Sequence, residues 1–499
     1  MSNASVKTIM FQGTGSGVGK SLLVAAFCRV LRQMGVRVAP FKAQNMALNS
    51  FVTYDGLEMG RAQAFQAEAC EIAPDVRMNP ILLKPTGDAS SQVILMGKVA
   101  CNMPAGSFYQ NRQRHLAVVK EAYCSLAGEF DVIVIEGAGS PAEINLQATD
   151  IVNMETAAYA NAPVIIIGDI DRGGVFAWLK GTYDLVSDAH RSRIAGFLIN
   201  KFRGDPSLLV PGLSQFQGIV PLPIFGVLPW FSDITVDQED GVYVHEMSSK
   251  RKAPINISVI HLPRISNFTD FAPLAFEKDV ALSFVRRPCE LRDCDCLVIP
   301  GTKATRADLD FIRAVGWDSA MARLLDAGVF IFGVCGGYQM LGEEIRDPYG
   351  VEGEAGTSSG LRFLPVITEF EAHKCLRNTS VILNAPPLFN GPVEARGYEI
   401  HMGLTRPCGP FKCLGPGIGA DIGVLGIDSP VAGVYLHGVF ENDLPRRMFL
   451  DYLRAKKGLD PIGEVSFYGA FRKTQFDCLA DWLKNHADMQ ALLSLIGIK

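Results

Sequence analysis

Short β-rich apolar runs alternate with helix-like stretches through most of the chain. In the first half the runs are residues 7–12, 36–41, 131–136, 163–169, 194–200 and 224–228. Between the first two, residues 21–34 place apolar side chains at 22, 23, 26, 27, 30, 31 and 34, one helix face closed by Gly35. This alternation predicts an α/β fold with a mostly parallel, helix-covered sheet. A polar run, Glu246 to Pro254, reads as a linker, and a boundary is expected near residue 252. A second strand series follows at 255–261, 295–300 and 329–334. Residues 350–360, rich in Gly, Ser and Glu, read as a loop. After about residue 445 the pattern turns helical, with Leu479, Trp482, Leu483, Leu492, Leu493 and Ile496 forming a face that docks on the body. The expected division is 1–250, 254–445 and a C-terminal helical extension, 446–499. No internal repeat is visible.

Composition narrows the class. With 499 residues, 48% hydrophobic and 20% charged, the chain suits a soluble protein of two or three domains. No apolar run approaches the roughly 18–20 residues of a membrane span. Residues 1–8 lack a secretory apolar stretch, so a cytoplasmic protein with no membrane partner is expected. A net charge of −5 without a basic stripe argues against nucleic acid. The twelve cysteines are scattered, and even Cys294-x-Cys296 falls at a strand start without zinc-site spacing, which suits reduced thiols. The oligomeric state is left open.

Two segments carry chemistry. In Val-Phe-Ile-Phe-Gly-Val-Cys-Gly-Gly-Tyr-Gln-Met-Leu (329–341) an apolar strand enters Gly333, Cys335 and Gly336-Gly337, then a helix. A thiol at a helix N-terminus is biased toward the nucleophilic thiolate. Locally, a buried Cys before a tight turn explains the pattern equally well. The other segment is a strand, then Gly13-Thr14-Gly15-Ser16-Gly17-Val18-Gly19-Lys20-Ser21, then the 21–34 helix. Such a loop wraps phosphate oxygens with N–H groups, Lys20 reaching the β/γ-phosphates and Ser21 ligating Mg²⁺. The common spacing would put its first glycine at position 14, which is Thr; the form seen here resembles the dethiobiotin-synthetase-like branch of P-loop proteins. Glu136 ends one strand and is a candidate Mg²⁺ or catalytic acid. Asp169 and Asp171 repeat the arrangement, and Asn200-Lys201 at a third strand end is a candidate contact to the base.

Further segments add a resemblance. These are Lys42-Ala-Gln44-Asn45-Met46, the stretch with Gln63 and Gln66, Met78-Asn79-Pro-Ile-Leu-Leu-Lys84, residues 136–154, the Cys335 motif, and Gly397-Tyr-Glu-Ile-His401-Met-Gly. Together they resemble the cobyric acid synthase family over nearly the whole chain. The resemblance implies a P-loop domain joined to a class I glutamine amidotransferase domain, both doubly wound. It implies ATP, Mg²⁺, glutamine and a corrinoid as small-molecule partners, with four corrin carboxylates converted to amides. Cys335 would attack glutamine and His437 serve as base, with Gly336 and Gly301 as oxyanion donors. Lys42 would join Lys20 in neutralising the phosphoryl group. Gln44, Asn45, Gln63 and Asn79 would bond the macrocycle, while His401 is as consistent with a structural role. One feature departs from the wider class: the acid expected two residues after the base is Val439, and Glu441 falls four residues on. His437 is then expected either to be oriented by a backbone carbonyl or to be poorly oriented when glutamine is absent, with modest glutaminase activity when the synthetase site is empty. Two rivals remain. A cobyrinic acid a,c-diamide synthase shares both domain types, but the Lys42 and Met78 stretches favour the first reading. A P-loop switch with an inert amidotransferase-like domain would lack the Cys or the His.

Overall fold

The computed structural model describes residues 6–86, 90–104, 110–231 and 252–498. Six of the apolar runs form one sheet: β1 (Lys7–Gly13), β2 (Val38–Phe41), β3 (Val132–Glu136), β4 (Val164–Asp169), β5 (Ile194–Phe202) and β6 (Ile224–Pro229). Their order is β6-β5-β4-β1-β3-β2, with every neighbouring pair parallel. The residues of β3 and β4 are buried throughout, as expected where helices cover both faces of a parallel sheet. The helix α1 (Lys20–Gln33) ends at Gly35, whose φ of 79° lets the Val36 amide return to the Leu31 carbonyl. That turn uses up Val36 and Arg37, so β2 starts later than its apolar run suggests. Register pairs Phe11 with Glu136 and Asp169 with Asn200. The P-loop, Glu136, Asp169 and Asn200 therefore share the carboxyl edge of the sheet.

The second strand series also forms a sheet. Its strands are β7 (Ile255–Ile260), β8 (Val280–Val285), β9 (Cys296–Ile299), β10 (Phe330–Val334), β13 (Lys412–Cys413), β14 (Gly423–Leu425) and β15 (Val431–Val434). The order is β8-β7-β9-β10-β15-β14-β13, parallel from β8 to β15 and antiparallel beyond. Between β10 and β13 lies a long antiparallel hairpin, β11 (Val366–Ala385) with β12 (Phe389–Pro407). It escapes a search for apolar runs because much of β12 alternates buried with exposed residues. The expected loop at 350–360 is corrected in part: Gly356–Ser359 is a strand, antiparallel to Glu344–Asp347.

The chain divides into two compact units, and not by a single cut. One comprises residues 1–47, 58–238 and 472–499; the other 48–57 and 239–471. Most of the expected linker, residues 246–251, lies outside the described residues. The terminal helices separate: Asp443–Lys456 lies in the second unit, while residues 472–499 return to the first. Leu479, Trp482, Leu483, Leu492 and Ile496 are buried in one core with Ile9, Leu23 and Phe27, and Leu493 packs on its margin. No helix among the described residues is long and apolar enough to cross a membrane.

Candidate functional site

Cys335 is the hinge between β10 and a short helix, Gly336–Leu341, with φ 51° and ψ −108°. A non-glycine residue held there stores on the order of 1–3 kcal/mol of strain. The surrounding packing enforces it. A Cβ at Gly337 would lie 2.0 Å from the Ile299 carbonyl oxygen, and one at Gly433 would lie 2.1 Å from the Tyr338 ring. The thiol is buried, with Sγ 3.5 Å from the Ile400 carbonyl oxygen.

His437 follows β15 and is fully buried. It exchanges two backbone hydrogen bonds with Tyr398, whose ring stacks on the imidazole at 5.2 Å and 16°. Its Nδ1 lies 2.6 Å from Asp270 Oδ2, and the other Asp270 oxygen accepts from the Gly438 amide at 3.1 Å. Burial alone would lower the His437 pKa, but the charges of Asp270 and Cys335 outweigh it and raise the value to about 10. Nε2 has no hydrogen-bond partner by geometry among the described residues, so it is the nitrogen left for exchange of a proton. The expected backbone carbonyl is thus replaced by a carboxylate. Asp270 rises from the turn Phe268–Phe271, downstream of β7. Unlike Glu136, which ends its strand, Asp270 lies ten residues beyond β7, and no local pattern in the sequence marks it.

The two expected oxyanion glycines flank this group. A Cβ at Gly301 would lie 3.3 Å from His437 Cε1, and one at Gly336 would lie 2.8 Å from Thr302 Cγ2. Gly336 opens the short helix, where amides lack intrahelical acceptors. His401 uses both nitrogens on its own strand: Nδ1 meets the Gly403 carbonyl at 2.8 Å and Nε2 meets Glu399 at 3.4 Å, while its ring stacks on Tyr435. Burial would raise the Glu399 pKa, but hydrogen bonds from His401, Arg377 and Thr379 lower it to about 2. Such bonding suits a support of the hairpin.

At the edge of the first sheet, Glu136 is the meeting point. Its Oε1 accepts from Ser21 Oγ at 2.8 Å and from Lys42 Nζ at 2.9 Å, and Oε2 accepts from Gln66. Burial would raise this carboxyl, but Lys42, then Gln66 and Lys20, hold it below its ordinary value. Ser21 and Glu136 are hard oxygen donors side by side, a set that fits Mg²⁺. Lys20 Nζ donates to the Gly15 and Gly139 carbonyls at 2.8 and 3.2 Å. Thr14 donates its amide to Ile167, Ser16 is exposed and Val18 is buried. Gly17 and Gly19 take φ of 71° and 98°, and a Cβ at Gly13 would meet Val18 at 2.6 Å. Asn200 spends its amide on the loop rather than pointing it away: Nδ2 donates to the Val18 carbonyl at 2.8 Å. Lys201 reaches the Gly17 carbonyl and pairs with Asp169 at 3.0 Å. Asp171 pairs with Arg203.

The amides expected at the macrocycle fall in two groups. Asn79 is committed: Oδ1 accepts from Gly60, and Nδ2 donates to the Lys42 and Ile81 carbonyls. Asn45 is buried and donates to Gln63 Oε1 at 3.0 Å. Gln63 Nε2 is buried without a partner among the described residues, and Gln44 is half-buried in the strand Gln44–Met46.

A P-loop nucleotide-binding unit joined to a glutamine amidotransferase unit is the class these features define. Family models agree: residues 9–242 match the CobQ/CobB/MinD/ParA nucleotide binding domain, and residues 256–445 the CobB/CobQ-like glutamine amidotransferase domain. Full-length relatives narrow it. The chain is 46% identical over 501 residues to a cobyric acid synthase of Thermoanaerobacter sp. and 47% over 504 residues to one of Citrobacter koseri. A cobyric acid synthase of Klebsiella pneumoniae is 46% identical over 498 residues, and each of these alignments covers 98% of both chains. The chain belongs to the cobyric acid synthase family.

Proposed function

We propose that the protein uses ATP and glutamine to convert four carboxylate side chains of adenosylcobyrinic acid a,c-diamide into amides, giving adenosylcobyric acid. One observation carries this reading: a chain matched end to end by relatives named cobyric acid synthase keeps two complete reaction centres. These are Cys335–His437–Asp270 and the P-loop with Lys42 and Glu136.

Ammonia would be made at the first centre. Asp270 holds Nδ1–H, leaving Nε2 to carry the proton removed from Cys335. The thiolate attacks the glutamine carboxamide carbon; the C–S bond forms as the carbonyl electrons move onto oxygen. The Gly336 and Gly301 amides would donate to that oxyanion. As it collapses, the C–N bond breaks and ammonia leaves with the His437 proton. Water, deprotonated by His437, then releases glutamate from the thioester.

Ammonia would be consumed at the second centre. A carboxylate is a poor electrophile, so it first takes the γ-phosphoryl group of ATP, releasing ADP and becoming an acyl phosphate. Ammonia attacks its carbonyl and phosphate departs. The Gly13–Ser21 loop cradles the phosphates, and Lys20 and Lys42 offset their charge. Magnesium held by Ser21 and Glu136 would supply further charge neutralisation. Asn200 and Lys201 brace the loop. Gln44 and Gln63 keep hydrogen-bonding capacity for the corrinoid, whereas Asn79 shapes the segment that bears Lys42.

Mass spectrometry of the corrinoid after incubation with ATP, Mg²⁺ and glutamine tests the reading. Four successive exchanges of OH for NH₂ are expected. An unchanged corrinoid, or amidation that stops after two exchanges on a substrate lacking the a and c amides, would overturn it.

A further inference from the structure

Residues 48–57 belong to the second unit, although the chain on either side of them belongs to the first. Within that unit they form a strap around the base. The Asn267 amide donates to Asn49 Oδ1 at 2.7 Å, and the Ser50 amide donates to Asn267 Oδ1 at 2.9 Å. Tyr398 donates its hydroxyl to the Ser50 carbonyl at 3.2 Å, and Val52 packs with Tyr398 and Ile400. Asn378 donates to the Thr53 carbonyl at 2.8 Å. Asn49, Ser50 and Asn267 are each at most 3% exposed. Buried amides need their partners, so these bonds select one geometry.

Asn267 passes that geometry on. It sits at φ 52° and ψ 36°, a left-handed conformation that Asn tolerates better than most residues. Its carbonyl accepts from the Asp270 amide at 3.0 Å, so it caps the turn that carries the acid. Its Nδ2 lies 3.5 Å from His437 Nδ1, the nitrogen that Asp270 engages. Tyr398 closes the other side by stacking on the imidazole and exchanging backbone bonds with it. The strap therefore reaches His437 by two routes, through Asn267 and Asp270 and through Tyr398.

We propose that Asn49 and Ser50 are positioning residues of the glutaminase: they set Asn267 and Tyr398, and through them Asp270 and His437. The proposal rests on the glutaminase reading given above. Asn49 and Ser50 act through these neighbours rather than on the reacting atoms.

Asn49→Ala and Asn267→Gly test this in the full chain. The second variant keeps a residue at ease with positive φ and removes only the side-chain contacts. Both are expected to hydrolyse glutamine with kcat about tenfold lower and KM within about twofold of wild type. Alkylation of Cys335 by iodoacetamide, followed across pH, should be slower than in wild type. Ammonium-driven amidation should stay at the wild-type rate. Wild-type kcat and alkylation profile in both variants would overturn the proposal, as would a rise in KM alone. If the wild type itself hydrolyses no glutamine, the glutaminase reading is what fails; the alkylation profiles still decide the strap.

Discussion

Asp270 decides the charge of the base. Burial works against it, but Asp270, with Cys335 beside it, holds His437 at about 10 against an ordinary 6.5. A group raised in the folded state stabilises it fully below the ordinary value and loses that contribution as pH rises through the raised one. In Asp270→Asn much of this support is gone. The melting-temperature gap between wild type and variant should therefore narrow as pH is taken through about 10. The same variant should hydrolyse glutamine at least about a hundredfold more slowly, because the imidazole loses both its orienter and its charge support. Strain at Cys335 gives a second test. With φ at 51°, Cys335→Gly should melt higher than Cys335→Ala, by the equivalent of about 1 kcal/mol. Equal melting temperatures would show that the elbow is not strained. Cys335 and His437 were legible because each follows an apolar strand beside a glycine and stands where the family resemblance expects it. Asp270 was not, since it rises from a short turn that only the fold brings to the base.

Elements were legible where burial is two-sided. The parallel strands read as apolar runs, and the P-loop as the break between one such run and an amphipathic helix. The hairpin β11–β12 was not, because one face is partly solvated and its polar residues interrupt the run. At the edge of the first sheet, Lys42 and Glu136 are 6% and 1% exposed at their side chains and pair at 2.9 Å. Removing one partner strands the other charge in the interior, which costs about 3–5 kcal/mol, whereas neutralising both costs less. Lys42→Met should therefore lower the thermal stability of the nucleotide-binding unit more than Lys42→Met with Glu136→Gln. Both variants should lose ATP-dependent amidation. A double variant less stable than the single would contradict the pairing.

For the whole molecule, composition located a polar stretch between two strand series but not which segments cross over. A strap of ten residues and a terminal pair of helices are exchanged between units, and neither changes the local composition enough to show. The helices matter to the first unit. Phe476, Leu479, Trp482, Leu483 and Leu492 share its core. Burying such side chains contributes about 1.5–3 kcal/mol each, against a typical domain stability of about 5–15 kcal/mol. Deleting residues 472–499 should abolish nucleotide binding and leave the unit unfolded by circular dichroism. Two chemistries are proposed to be joined in this chain, ammonia from Cys335 and ATP-driven amide formation at the P-loop. The most direct test is the corrinoid mass spectrum of Cys335→Ala given ATP with either glutamine or ammonium. Amidation from ammonium alone is predicted. Amidation from glutamine at the wild-type rate, or from neither source, would contradict the account.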